Sequence, residues 1–335
     1  MNHVHLVLPD LFLPGNIATE VSADLQLPAL ELLLARARVT VSQPVPLENH
    51  FFGLLGVNCD EVAPVAPVSA VFDGLTSGCW LRADPLHLSL QRDQMLSSSV
   101  FITPAESAEF CASLNEYFAG QGLEFFAPHP QRWYLRVDVV PDIRTNPIST
   151  ILGGNVGGAL ATGADATRWN QLFNEIQMLL FAHPLNELRE ARGELAVNSV
   201  WLWGGGDEVP KFDRNYDLIS SDDALLEMLA SVAGISYTAV PATWKFDPQH
   251  SRQLLVWSDL RTALQHGDLA AWRTALRAVE VACAQPLCRA LRNGTIDQLQ
   301  LDVPSAEDIR KFVLQRSDSW AFWRRTKRLA VYSPV

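Results

Sequence analysis

The chain is short of lysine, of paired cysteines and of long apolar runs. Only four of its 26 basic residues are lysine; 37 acidic residues oppose them, and the formal charge of the 335-residue chain is -11. Such a balance repels nucleic acid and anionic membranes unless basic groups cluster locally. The five cysteines (Cys59, Cys79, Cys111, Cys283, Cys288) are odd in number and scattered, with no C-x-x-C spacing. That argues against a disulfide framework and a cysteine zinc site, and it fits a reducing cytoplasm. No run of about 18 apolar residues is present, so no bilayer span is expected. No basic stretch followed by an apolar one marks a secretory signal.

What is present is an apolar content of 48%, enough for one large core or two smaller ones. Residues 3–8 read as a strand ended by Pro9-Asp10. A short helix is expected from Leu27 to about Arg38. The proline-rich stretch 39–70 reads as loops. Residues 105–119 and the stripe Trp169, Leu172, Phe173, Ile176, Leu179, Leu180 predict helices, the second N-capped by Asp165. Trp133–Val140 alternates as a strand does. Val197–Trp203 is apolar throughout, the pattern of a strand buried on both faces in a parallel sheet. A helix at 221–233 closes on Gly234, and one from Asp268 to about Leu291 is broken by Pro286. His3 and His5 share one strand face, expected at an edge. The alternation of helices and buried strands predicts an α/β fold: a mainly parallel sheet flanked by helices. A change of rhythm predicts an inserted α+β subdomain at 86–145, dividing a main domain of 1–85 and 146–335.

Several segments carry a family resemblance. Arg82-Ala83-Asp84, Asn174-Glu175, Pro184-Leu185-Asn186-Glu187-Leu188-Arg189 and the glycine-ended strand Trp201–Gly206 together resemble the archaeal-type cofactor-independent phosphoglycerate mutases of the alkaline phosphatase superfamily. Trp80–His87, Asn174–Met178 and Asn198–Gly206 also resemble a bacterial family described as RpfE-type regulatory proteins. The mutase resemblance implies an alkaline-phosphatase-like fold and a serine or threonine nucleophile between two metals. The chain departs from that pattern. Leu54-Leu55-Gly56-Val57 matches the run after the nucleophile, but Pro46-Leu47-Glu48-Asn49 before it holds no serine or threonine. Asp302-Val303 stands in place of an Asp-His pair.

The resemblance therefore implies a catalytically degenerate relative acting as a regulatory, ligand-binding or partner-binding protein, with no cofactor. The alternative is a working mutase or phosphatase using Mn or Zn and a displaced Ser42 or Thr40. Weak metal candidates are Asp10, Asp259, His266 and Asp302. Arg82, Asp84, Asn174, Asn186, Arg189, Asn198, Gly204 and Gly206 correspond to the substrate cleft and form a candidate pocket for a phosphorylated or carboxylate metabolite. The alternative for them is capping and internal pairing. The basic aromatic segment Trp320, Trp323, Arg324, Arg325, Lys327, Arg328 is a candidate surface for a protein partner. Its alternative is a final helix paired with the acidic body.

Overall fold

A computed structural model describes residues 1–59, 61–91, 94–154, 156–321 and 323–333. Their strands are β1 (His3–Val7), β2 (Arg38–Ser42), β3 (Cys79–Gln91), β4 (Gln94–Ser99), β5 (Leu123–His129), β6 (Arg132–Val137), β7 (Ser199–Gly206), β8 (Leu218–Ser221), β9 (Ser236–Thr238), β10 (Arg252–Val256), β11 (Gln298–Pro304) and β12 (Ile309–Gln315). The chain divides into two compact units, Met1–Gly56 with Phe212–Val335, and Val57–Lys211. The stretch 86–145 lies inside the second. Among the described residues no helix is long and apolar enough to cross a membrane.

The first unit holds a seven-stranded sheet in the order β2-β12-β11-β1-β10-β8-β9. The five strands from β11 to β9 run parallel, and only β12 runs against its neighbours. The fold is α/β with a mainly parallel sheet, as the alternation of elements predicts. Val4, Leu6 and Leu8 point into one core with Leu30 and Leu33 of the helix Pro28–Arg36, and with Trp272, Leu276 and Leu287 from 269–293. His3 and His5 face the other way. They do not mark an edge: β1 is bordered on both sides by β10 and β11.

Pro286 interrupts the long C-terminal helix as expected. Leu269–Val279 gives way to a π-turn at Glu280–Ala284 before Gln285–Asn293. Proline has no N–H to return to the carbonyl four residues earlier. That carbonyl, of Ala282, accepts the backbone N–H of Trp244 at 2.7 Å instead. The π-turn also carries buried Glu280, whose carboxylate accepts the N–H groups of Ala29 and Leu30, each at 2.9 Å. The helix Pro28–Arg36, which has no side-chain cap of its own, is thus capped from 250 residues away.

The stretch 39–70 is more ordered than expected. It contains most of β2 and the helices Leu47–Leu54 and Val65–Phe72. Pro46 and Pro64 precede those helices, where a missing N–H does no harm, so these prolines start helices and do not prevent them.

In the second unit β4-β3-β6-β5 form an antiparallel sheet, and β7 pairs antiparallel with β3. The expectation that β7 belongs to a parallel sheet is therefore corrected. Its apolar run reflects burial on both faces, not strand direction. The expected stripe Trp169, Leu172, Ile176, Leu180 packs with Phe110, Leu114, Trp133, Val200 and Leu202. Asp165 precedes its helix, but its side chain accepts the N–H of Asp142 and makes no capping bond.

Candidate functional site at the carboxyl edge of the parallel sheet

In an open parallel sheet, ligands gather outside the carboxyl ends of the strands. In the first unit that edge carries Asp10 after β1, Asp222 and Asp223 after β8, and Ser258, Asp259 and Arg261 after β10. Asp10 adopts φ 56°, the one left-handed non-glycine conformation among the described residues. Its carboxylate pairs with Arg261 at 3.0 Å; burial pushes its pKa up despite that guanidinium.

Asp222 accepts the N–H groups of Ser258 and Asp259. Burial of the carboxyl, helped by the neighbouring Asp259 and Asp223, raises it to about 6. Asp223 caps the helix Ala224–Ala233 through Leu225 N–H at 2.9 Å. Asp259 accepts the indole N–H of Trp257 at 3.1 Å. His266 is exposed, two helical turns beyond Asp259, and its Nδ1 lies 2.8 Å from the Thr262 carbonyl. It does not join the other candidates.

Asp302 lies within β11, on the sheet face opposite the main core, where it meets a set of groups that the sequence reading did not assemble. His5 Nε2 is 3.1 Å from Asp302 Oδ2, and His50 Nε2 is 3.6 Å from the same oxygen. Gln300 donates to Asp302 Oδ1 at 2.9 Å, and the Tyr216 hydroxyl lies 2.7 Å from His5 Nδ1. The Gln300 amide nitrogen also lies 3.2 Å from His5 Nε2. Burial alone would raise the Asp302 pKa; His5, Gln300 and the His50 imidazole outweigh it and hold it below the usual range. Burial lowers His50 to about 4 against the pull of Asp302, with His5 and Lys311 pushing the same way as burial. His50 and Asp302 are both buried, and His50 Nε2 has no hydrogen-bond partner. The helix Leu47–Leu54 places His50 here. Its only sequence signal was an ionisable residue one turn past Leu47, on a stretch read as a loop.

This donor set does not fit a two-metal phosphoryl-transfer centre. Such a centre needs an oxygen nucleophile and several carboxylate or imidazole ligands on each of two ions about 4 Å apart. The mutase resemblance sets Leu47 and Val303 against the nucleophile and an imidazole ligand; both side chains are buried, Val303 within the main core. Among the described residues no three His, Cys, Asp or Glu side chains are grouped to hold a metal. Thr40 and Ser42 lie on β2, three strand spacings from β1, or about 14 Å.

In the second unit, the residues of the candidate anion pocket face internal partners. Arg82 and Asp84 form a buried ion pair; Trp203 Nε1 donates to Asp84 at 2.7 Å, and Tyr134 and Trp203 place their rings over the guanidinium. Arg189 donates to the carbonyls of Leu195 and Phe101 and pairs with Glu106 at 3.1 Å. Asn186 bridges Leu180 and Val197; Asn198 clamps both backbone groups of Leu88. Asn174 is exposed on its helix.

Gly204, at φ +62°, and Gly206 admit a close approach: a Cβ on Gly206 would stand 3.1 Å from Pro67 and one on Gly204 3.2 Å from Val65. Arg82 and the Leu88 clamp of Asn198 are six residues apart along β3, about 20 Å. The set is spread over β3, β7 and the helices Ala166–Phe181 and Pro184–Ala191.

The C-terminal basic segment is irregular, with 3-10 turns at Arg316–Trp320 and Leu329–Tyr332 in place of a final helix. Arg324 donates to the carbonyls of Arg36 and Ala37, and Arg328 to that of Leu25. Trp320, Trp323, Arg325 and Lys327 are exposed.

Comparison with known proteins agrees with the mutase resemblance over part of the chain. No family model matches. The 2,3-bisphosphoglycerate-independent phosphoglycerate mutase of Methanosarcina mazei is 29% identical over 93 residues, 28% of this chain and 23% of that protein. A probable enzyme of the same name from Geobacter sulfurreducens is 30% identical over 93 residues, with the same coverage. The Methanosarcina barkeri enzyme is 24% identical over 144 residues, 42% of this chain and 36% of that protein. The matches thus span about a quarter to a third of those relatives' length.

Among solved structures, the PH0037 protein of Pyrococcus horikoshii aligns with a TM-score of 0.53 at 12% identity, over 98% of this chain and 92% of its own. A cofactor-independent phosphoglycerate mutase from Thermoplasma acidophilum aligns with a TM-score of 0.48 at 13% identity, over 100% and 95%. The chain is weakly similar in sequence to these mutases over part of its length, and it shares the α/β fold of PH0037.

Proposed function

We propose that this chain keeps a mutase-like scaffold and works by binding, as a regulatory protein, without metal-dependent phosphoryl transfer. The observation that supports the reading is that Leu47 and Val303, which the mutase resemblance sets against a nucleophile and an imidazole ligand, are buried aliphatic side chains. Losing a nucleophile lowers turnover on the order of a million-fold in enzymes where the catalytic groups act as a unit. The internal commitment of Arg82 and Arg189 favours a protein partner over a small anion as the bound species. The resemblance to RpfE-type regulatory proteins points the same way, and a cytoplasmic setting suits the unpaired cysteines.

The test is metal analysis and turnover on one preparation. Chain incubated with Mn²⁺ or Zn²⁺ and dialysed is expected to retain less than one ion per chain. It is expected to convert neither 3-phosphoglycerate nor an aryl phosphate. Chelator-sensitive turnover abolished by Ser42→Ala or Thr40→Ala overturns the reading in favour of a displaced catalytic centre.

A further inference from the structure

Two hollows in the second unit meet at Met178. One, of about 450 Å³, lies between the helices Pro104–Tyr117 and Ala166–Phe181. The other, of about 370 Å³, lies beside Leu90 and Met95 of the β3–β4 hairpin. Met178 and Phe181 are 73% and 78% exposed on the ridge between them, and Leu90 and Tyr117 are exposed beside it. Large apolar side chains gathered on one face mark an interaction site more often than scattered ones do.

The rim is acidic. Glu109, Ser113, Glu116 and Tyr117 follow one another at i, i+4, i+7 and i+8 along one helix face. Glu175 lines the first hollow from the facing helix, and among the described residues no lysine or arginine lines either hollow. The one catalytic-looking pair here, Ser113 and His183 at 2.9 Å, has the wrong protonation for hydrolysis. His183 Nδ1 accepts the N–H of Leu185, so Nε2 holds the proton and donates to Ser113. An imidazole so held cannot take a proton from the serine.

The complementary surface belongs to the first unit. Between buried Ala321 and buried Leu329 the chain is tied at both ends. Arg324 and Arg328 donate to main-chain carbonyls, and Leu329 N–H donates to Glu31 at 3.2 Å. Between and beside these ties Trp320 and Trp323 are 63% and 68% exposed, and Arg325 and Lys327 point into solvent. A segment held at both ends loses little conformational freedom on binding.

We propose that the chain self-associates, with Trp320, Trp323, Arg325 and Lys327 of one copy seated on the glutamate-rimmed hollows around Met178 of a second copy. Charge selects this occupant: the segment is the densest basic cluster of an acidic chain, and the hollows combine apolar floors with carboxylates. Both halves are carried by every copy, so each copy can offer its segment to one neighbour and its hollows to another or the same. The proposal stands whether or not the chain transfers phosphoryl groups.

Sedimentation velocity of the full chain from about 1 to about 100 µM tests it, at low and at high salt. Concentration-dependent self-association weakened by salt is expected. Glu175→Arg and Arg325→Glu should each weaken it about tenfold or more, and the chain carrying both reversals should recover it. Both positions are exposed, so unchanged thermal melts show that the single variants fold. Trp323→Ser should abolish the association outright. A monomer at every concentration overturns the proposal, as does association indifferent to either reversal, or a double variant as weak as the singles. Binding of a monomeric chain to duplex DNA or phosphatidylserine vesicles through the same segment overturns it too.

Discussion

Replacing His50 by glutamine should remove a specific part of the protein's acid sensitivity. The imidazole is buried beside Asp302, and its pKa falls from 6.5 to about 4, through burial first and then through His5 and Lys311. An unfolded chain binds this proton below pH 6.5; the folded chain binds it only near 4. Stability associated with His50 is therefore complete above 6.5 and is lost as pH falls toward 4. The difference of 2.5 units corresponds to about 3 kcal/mol at the acid end of that window.

Asp222 acts in the opposite direction. Its raised pKa makes the folded state bind a proton that the unfolded state has released, so stability is lost as pH rises from the usual carboxylate range toward 6. The residue as a whole stays exposed although its carboxyl is tucked against the N–H groups of Ser258 and Asp259; water screens its contribution, so its slope is the shallower of the two. The assay is urea unfolding of wild type and His50→Gln, followed by tryptophan fluorescence at about pH 7 and about pH 4.5. Relative to wild type, the variant should gain about 2–3 kcal/mol between the two conditions. Parallel pH profiles would refute the placement of a neutral His50 in the core.

Glu280→Ala should destabilise the first unit by about 2–4 kcal/mol, because two charge-assisted bonds to the helix Pro28–Arg36 disappear; an unchanged urea midpoint refutes that cap. Arg189→Ala should destabilise the second unit by about 3–5 kcal/mol, since Glu106 loses a partner and two carbonyls lose donors. A variant that melts like wild type but loses protection by phosphorylated metabolites in a thermal-shift screen would restore the anion-pocket reading. Gly204→Ala should lower stability by about 1–3 kcal/mol through strain at positive φ and pressure on Val65; an unchanged melting temperature in calorimetry refutes it.

The sequence was most legible where local chemistry and tertiary packing agree. Gly234 ends its helix in the left-handed conformation, Asp268 caps the next through Ala271 N–H, and Pro286 breaks the last long helix, each as its residue type dictates. It was least legible where a pattern has two physical causes. Full burial of β7 is compatible with parallel and antiparallel pairing alike, because burial speaks only of what covers a strand. The prolines of 39–70 read as loop markers by composition, yet at a first turn they are compatible with helix. The His5–Asp302–His50 cluster joins residues almost 300 positions apart, a relation that no local spacing encodes. Arg82 and Arg189 were visible as polar residues in apolar segments, but only coordinates show which atoms their guanidinium groups face.

The near-contact of β7 with the helix Val65–Phe72 ties distant codons together. Pro64, Pro67 and Val65 on one side, with Gly204 and Gly206 on the other, admit a Cβ only if a neighbour gives way by a few tenths of an ångström. A lineage in which Gly206 gains a methyl group is eased by exchanging the ring of Pro67 for something smaller. In any collection of sequences sharing this backbone, the two sites should drift as one locus and not as two.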